Sequence, residues 1–222
     1  MPRRPMRDLR EFVDHLGDVG LKPATVIDVG ACYGTPELLQ GAPDAYHVLV
    51  EPLPALEGRL RQILSRFKGE YHMLALGDTP GRSTMYVPPG GAEGATLLAS
   101  AKNLTPVEIT VETMDRLFDP RPYETPILVK TDCQGYDLAV MRGGRSFLRK
   151  VDALVMEVNL FHPRNDAANP DFGDIVLAMR EMGFAVYDIL SYQVRPRDNA
   201  LGYVDVAFAR EDGPLRKHHA WA

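Results

Sequence analysis

Five short segments of the chain set ionisable side chains beside glycines or at the ends of apolar runs. The first is Val26-Ile27-Asp28-Val29-Gly30-Ala31-Cys32-Tyr33-Gly34, where a β-branched run meets a glycine turn. Such a turn lets the backbone come close to a ligand at the carboxyl end of a strand. The Gly30-x-x-x-Gly34 spacing lacks the third glycine of the G-x-G-x-x-G pattern that cradles a dinucleotide pyrophosphate. Asp28 would repel a pyrophosphate, yet it can accept a hydrogen bond from the ammonium of an amino-acid ligand. This contrast favours a nucleoside amino acid over a nicotinamide dinucleotide. A strand, turn and helix with no ligand is the plainer reading of the same residues.

The second segment is Val48-Leu49-Val50-Glu51-Pro52. Glu51 follows the glycine turn by about 20 residues, the spacing at which Rossmann-type sites place an acid on ribose hydroxyls. The third, Ala75-Leu76-Gly77-Asp78, ends another apolar run, and Asp78 or a neighbouring amide could read an adenine edge. Gly-Asp is also an ordinary turn. The fourth is Val129-Lys130-Thr131-Asp132-Cys133-Gln134-Gly135-Tyr136-Asp137. A lysine inside an apolar strand is costly unless paired, and Asp132 falls at the sheet edge where open α/β folds hold ligands. The fifth carries Glu157 within Leu154-Val155-Met156-Glu157-Val158, with His162 shortly after. Carboxylates on neighbouring strands can form an acid/base pair or share a divalent cation, although nothing in the spacing demands a metal. A lone histidine in a loop is more often a surface residue.

The elements that must position these groups alternate. Leu9, Phe12, Val13 and Leu16 recur at helical spacing over residues 8–16. Strands are predicted at 25–29, 46–51, 70–76, 82–87, 107–111, 127–131, 153–158, 184–190 and 203–209. Helices are predicted from Pro36, over 54–67, near 136–141, and over 175–182, where Gly183 is the expected C-cap. Strands alternating with helices mean a mostly parallel sheet covered on both faces. The last two strands have only a loop between them and are expected to run antiparallel. No internal repeat or linker divides the chain. It reads as an α/β Rossmann-like domain over 25–210, preceded by a helical extension (1–24) and followed by a tail (211–222).

The 222 residues carry 25 Lys plus Arg against 30 Asp plus Glu, a formal charge of -5. A mildly acidic chain has no global reason to coat nucleic acid or an anionic membrane. The cluster Arg3, Arg4, Arg7 and Arg10 reads as a solvated helix face. Cys32 and Cys133 form no disulfide framework and lack the paired spacing of a metal site. No apolar leader or membrane-spanning stretch is visible, so a cytoplasmic location is expected. The sequence does not set an oligomeric state.

Together these segments resemble the FkbM-type family of S-adenosylmethionine-dependent methyltransferases. The likeness runs over about 25–209. It is carried by Val26 to Ala31, Glu51-Pro52-Leu53-Pro54, Ala75 to Asp78, Val111-Glu112-Thr113-Met114-Asp115-Arg116-Leu117, and Lys130-Thr131-Asp132-Cys133-Gln134-Gly135-Tyr136-Asp137. The last is the most family-specific pattern; the first is shared with many methyltransferases. The resemblance implies a seven-stranded sheet with one antiparallel strand, S-adenosylmethionine across its carboxyl edge, and O-methylation of a sugar or secondary metabolite. It implies Asp28 and Gly30 by the methionine part, Glu51 on the ribose and Asp78 by the adenine, with Ala31, Gly34, Leu76 and Gly77 also expected to bind the cofactor. Asp132 would face the sulfonium and the acceptor. One departure is Cys32, where the family usually has Asn, because a thiol lacks the donors and acceptor of an amide.

Methyl transfer to a hydroxyl requires alignment of the two reactants and removal of one proton. The candidate bases are Asp132, then Glu157, then His162. The acceptor is expected to be a small molecule, its pocket shaped by loops 88–103 and 161–172 and by aromatic residues such as Tyr33, Tyr136, Phe161 and Tyr192. Three alternatives compete. A nicotinamide oxidoreductase is disfavoured by Asp28. A nucleic-acid methyltransferase is disfavoured by the acidic charge and by Asp132, rather than proline, before Cys133. A non-catalytic binding protein with a degraded cofactor site draws support from Cys32.

Overall fold

Strand β1 (Thr25–Val29) is buried along its whole length, and its alternating side chains divide the molecule into two layers. The computed structural model describes residues 6–92, 94–97, 104–162 and 169–220. Arg3, Arg4 and parts of both expected acceptor loops, residues 93, 98–103 and 163–168, lie outside the described residues. β1 pairs in parallel with β2 (Tyr46–Val50) and with β7 (Ile127–Thr131). β3 (Gly69–His72), β8 (Ala153–Asn159), β9 (Phe184–Val194) and β10 (Leu201–Arg210) complete a seven-stranded sheet of order β3-β2-β1-β7-β8-β10-β9. β10 runs antiparallel to both β8 and β9 and is the one reversed strand. The short connection between β9 and β10 permits only a hairpin.

On one face, Val26, Leu128, Val155 and Ala207 pack under α1 (Leu9–Asp18) and α2 (Pro36–Gly41). Asp8 caps α1 reciprocally with Glu11, and Leu9, Phe12, Val13 and Leu16 form its buried stripe. The segment before β1 is therefore part of the same core. On the other face, Ile27, Val29, Val129 and Met156 join Met114, Phe118, Val140, Phe147 and Met179. Those partners come from α4 (Met114–Phe118), α5 (Asp137–Arg142), α6 (Phe172–Glu181) and a 3-10 turn at Phe147–Lys150. α3 (Glu57–Leu64) packs Leu60 and Ile63 on Leu49 and Ala31. Met182 rather than Gly183 is the C-cap of α6, and Gly183, with φ +85, makes the left-handed turn just after it.

One expectation is corrected. Residues 70–76 read as a single strand but form two. Gly69–His72 extends the main sheet, whereas β4 (Ala75–Leu76) turns into a three-stranded sheet with β5 (Gly81–Val87) and β6 (Thr105–Glu112), in the order β4-β6-β5. The physical reason is a competing partner. Ala75 pairs with Val111 and packs with Ile109 in a small core of its own. Ala92, Gly94, Ala95 and Leu97 of the connection between β5 and β6 thereby come beside the carboxyl ends of β1 and β2. Among the described residues, no helix is long and apolar enough to cross a membrane.

Candidate active site

Three positive-φ residues shape the turn after β1: Gly30 at +78, Cys32 at +46 and Gly34 at +89. A Cβ on Gly30 would lie 2.2 Å from the Asp132 carbonyl oxygen, so only glycine lets the β1 and β7 ends come together. The amide of Cys32 donates to Glu51 Oε2 at 3.0 Å, and that of Leu53 donates to Oε1 at 2.9 Å. Glu51 is only 5% exposed, and burial raises its pKa against the pull of those two amides. At this turn residue 32 thus anchors Glu51 through its backbone amide.

These residues line a cleft at the carboxyl edge of the sheet. Its walls include Gly30, Cys32, Glu51, Leu76, Asp132 and Gln134. Leu74, Ala75 and Met85 add apolar surface, while Ala92, Gly94, Ala95 and Leu97 close it from the β5–β6 connection. Thr96 is 1% exposed, and its hydroxyl donates to the Gln134 carbonyl at 3.3 Å, tying that connection to the turn after β7. Gln134 (φ +52) and Gly135 (φ +93) make the turn sharp, and Gln134 Nε2 donates to Asp132 Oδ1 at 3.1 Å.

Beneath the cleft lies a row of charge. Lys130 Nζ donates to Asp132 Oδ2 at 3.4 Å and stands 3.8 Å from Asp28 Oδ1, an ion pair too long to be a hydrogen bond. Burial works against the lysine charge, but the two carboxylates outweigh it and hold its pKa above the ordinary lysine range. Asp28, 2% exposed, is raised by burial and lowered in part by Lys130 and the Thr35 hydroxyl. Glu157 and Asp205 stand opposite each other in the β8–β10 ladder. Burial, then the charges of Asp132, Asp137 and Asp205, push Glu157 up to about 8. Asp205 is also raised by burial, although the Ser191 hydroxyl donates to it. Asp137, whose Oδ1 accepts from the Cys133 amide at 3.0 Å, is pushed by burial and Asp132 to about 6.

Of the residues singled out from the sequence, Gly30, Glu51, Leu76 and Asp132 line the cleft. Asp28 does not: it has the same strand parity as Val26 and faces the α1–α2 layer, where it braces Lys130. Ala31 packs on Leu49, and Gly34 closes on Ile63. Gly77 is buried between Val111 and Tyr136, and Asp78 is exposed at the turn beyond it. Glu157 belongs to the charged row. His162 lines a separate groove at the ends of β8 and β9 with Phe161. Of the remaining aromatic candidates, Tyr136 lines the cleft, while Tyr33 and Tyr192 are exposed. Sequence reasoning missed Asp205 and Ser191. The signal was present in Tyr203-Val204-Asp205-Val206, where an acid interrupts a buried strand. Among the described residues, no group of three or more His, Cys, Asp or Glu is arranged to hold a metal ion.

The strand order with β10 reversed, and a cleft at the β1–β7 edge, define a class I methyltransferase fold. The chain belongs to the FkbM methyltransferase family, whose domain model, "Methyltransferase FkbM domain", matches residues 28–186. Among solved structures it is similar to methyltransferase FkbM from Methylobacillus flagellatus KT, at 16% identity and TM-score 0.50, over 83% of this chain and 43% of that one. The present chain thus spans little more than two fifths of that protein. It is also similar to magnesium protoporphyrin IX methyltransferase from Synechocystis PCC 6803 with bound SAH, at 11% identity and TM-score 0.50, over 91% and 81% of the two chains. At such identities the likeness establishes the fold. Curated protein sequences offer no match.

Proposed function

We propose that the cleft binds S-adenosylmethionine and that the chain transfers its methyl group to a hydroxyl oxygen of a small molecule, a sugar or a secondary metabolite. The observation that carries this reading is Glu51. The Cys32 and Leu53 amides hold both of its oxygens at the cleft wall, and each oxygen keeps a lone pair for a ribose hydroxyl. Gly30 allows close approach, and Leu74, Leu76 and Met85 offer an apolar wall that suits an adenine ring. The Synechocystis structure contains SAH, which is consistent with this choice.

The cofactor supplies a methyl carbon made electrophilic by a sulfonium. The chain must align an acceptor and take its proton. Asp132 is the cleft carboxylate besides Glu51, steadied by Gln134 and Lys130. Glu157, at about 8, is matched to accepting a proton near neutrality and stands next in the charged row. Asp28 acts indirectly, through Lys130. His162 lines a different groove and is left out of the proton path.

Calorimetric titration with S-adenosylmethionine, S-adenosylhomocysteine and NAD tests the proposal. Both adenosyl ligands should bind and NAD should not. Glu51→Ala should weaken both at least about tenfold, roughly 1.4 kcal/mol. If neither adenosyl ligand binds, the transferase reading fails.

A further inference from the structure

The groove that holds His162 opens on the same sheet edge as the cleft, beyond β8. Asn159, Phe161, Gln193, Arg195, Arg197 and Tyr203 line it with the histidine. Its chemistry is opposite to that of the charged row. The Arg195 guanidinium carbon lies 3.6 Å from the centre of the Phe161 ring, and Nη2 pairs with Asp198 at 2.5 Å. Its Nε also donates to Asp198, at 2.7 Å, while Nη1 donates no hydrogen bond among the described residues and Arg197 makes no ion pair among them. His162 Nδ1 is buried without a hydrogen-bond partner. Two guanidinium groups and an imidazole thus converge with one offset carboxylate, in a chain of formal charge -5.

The groove connects to the reaction edge. Asn159 pairs with Tyr203 and Glu157 with Asp205, so all four side chains share one face of the sheet. Tyr203 Oη donates to Gln193 Oε1 at 2.9 Å, holding the hairpin side of the groove. The Tyr203 phenol is raised by burial and then by the nearby Glu157 and Asp205 carboxylates. Two residues of strand span about 7 Å, so the groove begins about one sugar-ring length from Glu157.

We infer that this groove is the acceptor's docking site and that it receives an anionic group, a carboxylate or phosphate, carried by a hydroxylated acceptor. Arg195 and Arg197 attract the anion, while the Asp132 and Asp205 carboxylates repel it from the inner end. That gradient orients the molecule with its anion outward and its hydroxyl toward the acids. Calling the ligand the acceptor rests on the methyl-transfer reading; the anion preference rests on the groove alone.

The test is ligand-observed NMR titration with 4-nitrophenyl β-D-glucuronide, glucose 6-phosphate and the neutral 4-nitrophenyl β-D-glucoside, with SAH affinity measured in each variant. At low salt at least one anionic probe should bind about fivefold or more tighter than the glucoside, and added salt should erase the difference. The two anions separate a carboxylate from a phosphate preference. Arg197→Ala should reduce the preference, Arg197→Glu should reverse it, and Arg195→Ala should weaken every probe. Equal binding of charged and neutral probes, or anion binding unaffected by Arg197→Glu, overturns the inference. Absence of SAH binding in the parent protein, with the anion preference intact, would instead sink the cofactor reading and leave the groove standing.

Discussion

Glu70 and Glu157 occupy opposite edges of one sheet and meet opposite fates. At the amino edge, burial pushes Glu70 up, but hydrogen bonds from Tyr123 (2.6 Å) and Arg121, with His72 at 3.3 Å, win and hold it below the usual range. At the carboxyl edge Glu157 faces three carboxylates and a single ammonium, and rises to about 8. The difference lies in the supply of partners, since burial acts in the same direction on both. One edge satisfies its charges and stabilises the fold. The other leaves acids in excess over cations, the condition under which a carboxyl group can exchange a proton near neutral pH.

The largest effect should come from Gly30→Ala. It forces a side chain into a left-handed turn and against the Asp132 carbonyl, costing about 3 kcal/mol or more. Thermal unfolding should show this, together with loss of SAH binding. Next, Glu51→Ala strands two amides at the cleft wall and should cost about 2 kcal/mol. Glu51→Gln keeps one acceptor and should lose less of both stability and binding.

Glu157→Gln bears directly on the comparison. The folded protein raises the pKa of Glu157, so its stabilising contribution is full below the unfolded value and is lost as pH rises toward about 8. The glutamine variant should gain on the parent between pH 5 and 9, by on the order of 2 kcal/mol at the upper end. A constant difference across that range would break the comparison. Glu70→Gln should behave oppositely and more weakly. Glu70 is depressed, so its contribution is present at neutral pH and lost as pH falls through the folded value. The variant should lose about 1 kcal/mol at pH 7, little at pH 3, and nothing in cofactor affinity.

Much of the carboxyl edge was legible from residue types. The runs Thr25–Val29 and Ile127–Thr131 have the predicted bounds, because apolar and β-branched residues dominate both and each ends abruptly, at Gly30 and at Asp132. Glu51 and Asp132 could be singled out because each acid directly ends such a run. Asp28 was visible as an acid, but its direction was not. Its parity turns it under the α1–α2 layer, where it braces Lys130.

The family, the order of strands and helices, and the chemistry available at strand ends were determined by the sequence, because apolar periodicity and glycine placement are local properties. Tertiary structure alone split residues 69–76 between two sheets, since their partners His47 and Val111 lie far apart in the chain. It alone set Asp205 opposite Glu157 and separated His162 from the cleft. Those outcomes depend on register across several strands, and a pKa or a pocket is a property of neighbours that pairing brings together from distant parts of the chain.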